Sequence, residues 1–329
     1  MISVSYRHFI SGILLFLCAF SATYAAESIA RLQEQDLTLN RNNANTGVNI
    51  LAIAELTNIS INGFKVSELS GLAWDADENT LYAISDNGYV LHLRPEFKND
   101  QLTDVLLLNG FALHDDQNKP LKWKRADSEG LAIKQSNNGI VGDTELLVSF
   151  ERRPRIIRYN SNGTFISSIE LPEQLRDIKN YESENKSLEA ITAHVQLGVL
   201  VGVESPLKGT EQGMLNIYSM NGNNWKLPAA NASEGGLVGM TSLDDGNLLI
   251  LERAYTGILP KFEIALHRVS IKDNVLSEKI IAKFLPDEEL FNDNFEGITY
   301  HKNNYFFMIS DDNNHPFKRT LLIYFHVPE

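Results

Sequence analysis

Acidic residues recur at two fixed places in this sequence, each beside a short apolar run. At the first place, Glu129, Glu189 and Glu296 stand directly before Gly or Ala and an apolar run. At the second place, an acidic residue ends the next apolar run, and its members are Asp86, Glu151, Glu204, Glu252 and Asp311. Crowded carboxylates repel one another, so they become protonated, pair with arginine or bind a cation. Oxygen ligands of this kind suit Ca²⁺, or Mg²⁺ with retained waters.

The spacing of the repeats predicts the elements that hold these residues. Five copies of one pattern begin at residues 70, 129, 189, 238 and 296. Each copy contains two consecutive apolar strands, and all but the fourth start with a small residue or an acidic one. A regular step of this size is typical of an array of one supersecondary unit.

Each copy has room for about four short strands separated by turn residues. Four-stranded units in radial repetition form a β-propeller, so the predicted fold is an all-β propeller with five blades. Six blades are the alternative if residues 111–127 hide a further blade. The last copy has one more strand, at residues 320–327, and a strand at 48–56 is predicted to close the ring and remove two exposed edges. Residues 173–188 are the one stretch with a pattern for a short helix or lid.

This topology predicts that both sets of acidic residues lie at one mouth of the central channel. In an antiparallel pair, the start of one strand lies beside the end of the next. The predicted acidic collar is Asp86, Glu129, Glu151, Glu189, Glu204, Glu252, Glu296 and Asp311, with Arg152 and Arg253 interleaved. The collar is predicted to be a metal or ligand site. In the other interpretation, its carboxylates cap strands and tie blades together through Glu–Arg pairs.

The charge of the chain bears on its partners. The 329 residues carry a formal net charge of −13. Such acidity argues against nucleic acid as a partner, because phosphate binding needs a basic surface. It is compatible with a divalent cation, and it also keeps an exported protein soluble.

The first 25 residues have the pattern of a cleaved secretory signal. Arg7 and His8 precede an apolar run at residues 9–20, and Thr23 and Ala25 precede the expected cleavage point. The run is short for a bilayer span, so we expect no membrane span after cleavage; an uncleaved anchor is the alternative. The expected location is the periplasm or the exterior.

Cysteine use agrees with this expectation. Cys18 is the only cysteine and would leave with the signal. A chain without thiols has no disulfide, zinc–thiolate site or cysteine nucleophile. Residues 26–46 are polar and predicted to be a flexible leader. Residues 47–329 are predicted to form the propeller, as a monomer.

Several motifs of the repeats stand in a fixed order along residues 65–327. They are Ser70-Gly71-Leu72, Asp127-Ser128-Glu129-Gly130, Ser149-Phe150-Glu151-Arg152, Leu188-Glu189-Ala190, Asn294-Phe295-Glu296-Gly297 and Ile309-Ser310-Asp311-Asp312. In this order they resemble the phytase-like family, also called esterase-like activity of phytase. Members are commonly exported by bacteria, and the family is named for hydrolysis of phosphate or other esters. The fourth copy departs from the pattern, because Val238-Gly239 stands where the others have an acidic or small residue.

The resemblance implies metal-assisted hydrolysis of a phosphoester or another ester, with a small anionic or ester substrate. The catalytic residues are then Glu129, Glu296, Arg152 and Arg253. Carboxylates of the collar would hold Ca²⁺ or a similar ion, and the arginines would neutralise charge on the phosphoryl group. Lys318 and Arg319 would steer the anion. The alternative is a non-catalytic propeller that binds a small ligand or a protein at the same mouth.

Overall fold

The computed structural model describes residues 26–33, 47–255, 262–285 and 293–328. Its strands form five antiparallel sheets arranged as the blades of a propeller, which confirms the predicted fold class. Strands are numbered along the chain, and in each blade the first strand named is the innermost.

The first blade contains β6 (Leu69–Asp75), β7 (Thr80–Ser85), β8 (Tyr89–Lys98) and β9 (Gln101–Ala112). The second contains β10 (Ser128–Lys134), β11 (Glu145–Phe150), β12 (Arg155–Asn160) and β13 (Phe165–Ile169). The third contains β14 (Leu188–His194), β15 (Gly198–Val203), β16 (Met214–Ser219) and β17 (Asn224–Pro228). The fourth contains β18 (Gly235–Ser242), β19 (Asn247–Tyr255), β20 (Phe262–Lys272) and β21 (Val275–Phe284). The fifth contains β22 (Asn294–Lys302), β23 (Tyr305–Asp311), β24 (Leu321–His326) and β3 (Asn49–Leu56).

The ring closes through the N-terminal strand, as the sequence predicts. Strand β3 pairs with β24 of the fifth blade, with Ala54 opposite Leu322 and Ile53 opposite Ile323. Residues 111–127 add no blade among the described residues. They complete β9 and then form a loop with an isolated bridge between His114 and Pro120.

The prediction of a flexible leader is wrong for residues 27–32. Two short strands lie there: β1 (Glu27–Ser28) pairs with β9, and β2 (Ala30–Leu32) pairs with β3. Ile29 between them is 1% exposed and donates its N–H to the carbonyl of Val105 at 2.9 Å. One buried apolar residue and the open edges of two blades are enough to order this segment. The predicted signal at residues 1–25 and leader residues 34–46 lie outside the described residues.

The remaining elements are small. A hairpin is formed by β4 (Ser60–Ile61) and β5 (Phe64–Lys65), and a one-turn helix spans Glu173–Arg176, within the predicted stretch. 3₁₀ turns lie at Trp123–Arg125 and Ile178–Asn180. None of the helices in the described residues is long and apolar enough to cross a membrane.

The apolar core is divided between the blades. Five clusters of buried side chains each combine residues of two neighbouring blades, and together they complete the ring. For example, Leu249 of the fourth blade belongs to one cluster with Phe306 of the fifth. Because both faces of each sheet are covered by neighbours, the strands are apolar on both faces near the axis.

Every innermost strand carries a register irregularity at the same place. The pairing shifts next to the first residue of each repeat, and the residues concerned are Ser70, Glu129, Glu189, Val238 and Glu296. A β-bulge interrupts strand alternation and redirects a side chain. Five equivalent bulges therefore present one ring of residues at the start of the innermost strands.

The glycines beside these bulges allow the strands to approach closely around the axis. A β-carbon on Gly239 would lie 2.6 Å from the carbonyl oxygen of Glu296. One on Gly130 would overlap the carbonyl oxygen of Glu189 and the hydroxyl of Ser149.

We expect Gly130→Ala to lower the free energy of unfolding by about 2 kcal/mol, because the methyl group must displace backbone of the next blade. Ala190→Gly at the matching position of the third repeat is the control, and its cost is about 0.5–1 kcal/mol from backbone entropy. Urea denaturation measures both. Equal losses for the two variants would contradict close packing at Gly130.

Candidate functional site

The bulges and strand ends bring eight carboxyl groups to one end of the channel. We call them the acidic cluster: Asp86, Asp127, Glu129, Glu151, Glu189, Glu204, Glu296 and Asp311. Seven of them belong to the predicted collar, and Asp127 is an addition. The cluster contains the side chains of two arginines, Arg152 and Arg253.

Two groups of carboxylates within the cluster have the spacing of metal ligands. Oxygen atoms of Asp127, Glu129 and Glu151 lie within 4.8 Å of one another, and so do those of Glu151, Glu189 and Glu204. Glu151 belongs to both groups, so the two positions are adjacent.

Glu129 is one of the least satisfied members of the cluster. It is 8% exposed, and none of the described residues donates a hydrogen bond to its carboxylate. Burial raises the pKa of Glu129 well above its usual range, and the nearby Asp86 and Glu151 raise it further. Burying a charged group without partners is costly, so this side chain requires a proton or a cation.

Glu189 and Glu151 form a carboxyl pair beside Glu129. Oxygen atoms of the two side chains lie within 4.8 Å of each other, so their charges repel unless a proton or a cation is bound. Burial raises the pKa of Glu151 to about 7, although the backbone N–H of Ser187, 3.0 Å from its Oε1, favours the charged form. Burial also raises the pKa of Glu189, with further contributions from Glu151 and Glu129.

Asp311 and Asp86 complete the cluster on the side of the fifth and first blades. Burial raises the pKa of Asp311 to about 8, with a further contribution from Glu296. The N–H of Asn313 donates to Asp311 at 2.7 Å and limits this rise. Burial and the charges of Glu296 and Asp311 raise the pKa of Asp86, which accepts a hydrogen bond from Ser70.

Arg253 neutralises part of the cluster. Its guanidinium donates to Glu296, to Oδ1 of Asn294 at 2.7 Å and to Glu204 at 3.3 Å. Burial alone would lower the pKa of Arg253, but Glu296, Glu204 and Glu189 outweigh it and raise the pKa. The side chain therefore stays charged and forms ion pairs with two carboxylates.

Arg152 lies at the rim of the cluster and forms an ion pair with Asp127. Its side chain is 32% exposed, compared with 15% for Arg253. Its φ of 48° lies in the left-handed region, because the chain turns sharply after Glu151.

Glu252 does not join the acidic cluster. Its carboxylate accepts hydrogen bonds from the N–H groups of Ala230 and Asn231, at 2.7 and 3.0 Å, and contacts Nε2 of His267 at 2.7 Å. Strand β19 continues to Tyr255, so strand alternation places Glu252 inside the fourth blade and Arg253 at the channel. Glu151 instead follows the end of β11 and is free to turn inward.

Lys318 and Arg319, the two residues predicted to steer an anion, are also bound to other side chains. Lys318 donates to Oδ1 of Asn313, which ties it to the loop beside Asp311. Arg319 pairs with Asp293 at 2.5 Å.

A small cavity lies on the axis at the level of the bulges. Its volume is about 10 Å³, enough for one water molecule or ion, and Ser70, Glu189 and Glu296 are among its lining residues. Five buried apolar side chains separate it from the wide opposite mouth: Leu72, Leu131, Ile191, Met240 and Ile298.

Sequence reasoning missed Asp127 and Asn294 as site residues. Each stands two positions before the glutamate of its repeat. This spacing was the signal that could have identified them.

The repeats match a known family over most of their length. The match is to the phytase-like family, described as esterase-like activity of phytase, over residues 65–314. This chain is a member of the phytase-like family. The matched range contains every residue of the acidic cluster. The phytase-like chain has no match among the curated proteins.

Several solved structures, of proteins with different names, have a similar arrangement of strands. A gluconolactonase from Xanthomonas campestris is 13% identical, with 94% of this chain and 100% of that chain covered and a TM-score of 0.40. The Cps50 (Swd1) β-propeller domain of Myceliophteria thermophila is 10% identical, covering 92% and 100% of the two chains, with a TM-score of 0.37. A glucose dehydrogenase is 12% identical, covering 93% and 100%, with a TM-score of 0.40. At these identities and TM-scores we draw no conclusion about function from them.

Proposed function

We propose that this phytase-like propeller is an exported, metal-dependent hydrolase that binds Ca²⁺ at the acidic cluster and acts on a small phosphoester or other ester. The observation that carries the proposal is Glu129, whose buried carboxylate has no donor among the described residues. It lies beside Glu151, whose carboxylate is also close to those of Glu189 and Glu204. A divalent cation bound at Glu129 and Glu151 would balance the charge of both carboxylates.

The donor set fits a hard cation. The two close groups offer carboxylate oxygens without imidazole or thiolate, which suits Ca²⁺, or Mg²⁺ that keeps part of its water. Asp127, Glu129 and Glu151 would hold a cation at one position, and Glu151, Glu189 and Glu204 would hold it at the adjacent one. An exported protein meets Ca²⁺ at levels that saturate sites with Kd of ~10⁻⁴–10⁻³ M.

A bound Ca²⁺ would polarise a phosphoryl or carbonyl oxygen and lower the pKa of a bound water. The chain's own residues have separate tasks. Arg253 forms ion pairs with Glu204 and Glu296 and holds them in position. Arg152, at the rim and partly exposed, is placed to contact an anionic group of the substrate.

One observation favours the alternative of a non-catalytic propeller that binds a small ligand or a protein. Both arginines of the cluster are already paired with carboxylates, Arg152 with Asp127 and Arg253 with Glu296. A hydrolase of phosphoesters needs at least one of them to turn toward the substrate. Turnover assays separate the two functions.

We expect Ca²⁺-dependent hydrolysis of at least one of p-nitrophenyl phosphate, bis-p-nitrophenyl phosphate and p-nitrophenyl acetate. Chelation with EGTA should remove the activity. Glu129→Gln should lower kcat/KM by about 100-fold or more, because an acidic ligand of the cation is lost.

Glu173→Gln makes the same charge change on an exposed residue of the short helix and should leave the rate unchanged. No turnover with any of the three substrates, while calorimetry still detects Ca²⁺, would favour the binding function. Neither turnover nor Ca²⁺ binding would overturn the metal site itself.

A further inference from the structure

The opposite end of the channel carries a second, much larger cavity. Its volume is about 560 Å³, within the range of small-molecule sites. Residues of all five innermost strands and of the hairpins that follow them line it. The five apolar side chains above the axial cavity form its floor, so it is separate from the acidic cluster.

The hydroxyl groups near the floor have hydrogen-bonding capacity left over. Thr192 and Thr241 are buried, and each accepts a backbone N–H from the next blade, from Ser242 and Tyr300, at 3.0 Å. A threonine hydroxyl has one donor and two acceptor positions. Each of these two hydroxyls therefore keeps a donor and an acceptor position for a ligand.

The rim of the cavity is rich in neutral amides. Asn79, Asn137 and Asn303 come from three different hairpins, and no side-chain hydrogen bond ties their amides to the described residues. Amide groups offer both donors and acceptors, which matches the hydroxyl groups of a sugar.

The charges around the cavity nearly cancel. Asp244 and Lys302 are its charged side chains, and Asp244 already accepts a hydrogen bond from Tyr300 at 2.7 Å. His301 also lines it, and burial, together with Lys302, lowers the pKa of His301 to about 4, so it is neutral at physiological pH. This mouth therefore differs from the acidic end and attracts neither anions nor cations strongly.

The walls are held in place before a ligand arrives. Asp77 in the hairpin of the first blade accepts N–H groups of Asn138 and Gly139 in the next hairpin, at 2.8 and 3.0 Å. The ring of Trp74 packs edge-on against His301, with centroids 4.6 Å apart. A fixed site loses less entropy on binding than a flexible one.

We propose that this mouth is a binding site for a neutral saccharide of one or two sugar units. An apolar floor accepts the C–H face of a sugar ring, while threonine hydroxyls and asparagine amides bind its hydroxyl groups. The site does not depend on a cation or on the acidic cluster, and it goes beyond the proposed hydrolase function.

Calorimetry and ligand-observed NMR with glucose, trehalose and sucrose test the proposal on the full chain. We expect a Kd of ~1 mM or below for at least one of them, and much weaker binding of the charged analogues glucuronate and glucosamine. Thr241→Val, which replaces the hydroxyl by a methyl group and also removes the acceptor of the Tyr300 N–H, should weaken binding about 5–10-fold. EGTA and Glu129→Gln should have no effect.

Ala76→Trp is a second variant that does not touch the core, because Ala76 is exposed at the rim. Its ring should block the mouth and abolish binding. Val141→Trp is the matched control, since Val141 is 73% exposed and lies on a hairpin at the same end, outside the cavity lining. The proposal is overturned if no neutral saccharide binds, if binding survives Ala76→Trp, or if the charged analogues bind equally well.

Discussion

Glu129→Gln is expected to stabilise the metal-free protein and to abolish its stabilisation by Ca²⁺. At pH 8–9 the free energy of unfolding in EGTA should rise by roughly 1–3 kcal/mol, because an amide of the same shape replaces a buried, repelled carboxylate. In Ca²⁺ the order should reverse, since the native protein then gains binding free energy that the variant has lost. Thermal unfolding with and without Ca²⁺ measures both effects.

Glu252→Gln is the matched control for this prediction. Both glutamates are buried, but Glu252 lies inside the fourth blade, where two backbone N–H groups and His267 bond its carboxylate. Its replacement should lower the free energy of unfolding by about 2 kcal/mol, with or without Ca²⁺, because hydrogen bonds to a charged group are lost. If Glu129→Gln also destabilises the metal-free protein, the carboxylate is a structural cap and the metal site is wrong.

The sequence predicted the fold of this chain better than the surroundings of single glutamates such as Glu129 and Glu252. Repeat spacing predicted five blades, the closing strand at residues 48–56 and the end of the channel where the carboxylates gather. All of these follow from strand periodicity and ring symmetry, which a sequence records directly.

The orientation of single side chains depends on where each strand ends. Strand β11 stops at Phe150, whereas β19 continues to Tyr255. Glu151 and Glu252, which occupy equivalent places in their repeats, therefore face different surroundings. The bulges at Glu129 and Glu189 add a shift that no periodic pattern reveals. These details decide which carboxylates bind a cation and which stabilise a blade.

Stability of the metal-free protein is expected to fall as the pH rises from about 4 to about 8. Folding raises the pKa of Glu151 from 4.5 to about 7 and that of Asp311 from 3.8 to about 8. Below the unfolded values both states are protonated, and between the unfolded and folded values the native state holds more protons. The free energy of unfolding therefore decreases with pH across this window and levels off above it. The decrease amounts to several kcal/mol, because each unit by which folding raises a pKa is worth about 1.4 kcal/mol.

Ca²⁺ should flatten this dependence, because the cation takes the place of the protons. Calorimetry in buffers of different ionisation enthalpy should then detect protons released on Ca²⁺ binding at pH 6, and far fewer at pH 9. Asp311→Asn should remove the part of the pH dependence near pH 8 and leave the part near pH 7. Paired surface carboxylates give a stability that increases with pH. Such an increase over this range would mean that the cluster is ionised and that the protein alone compensates its charge. The cation would then have no charge left to balance.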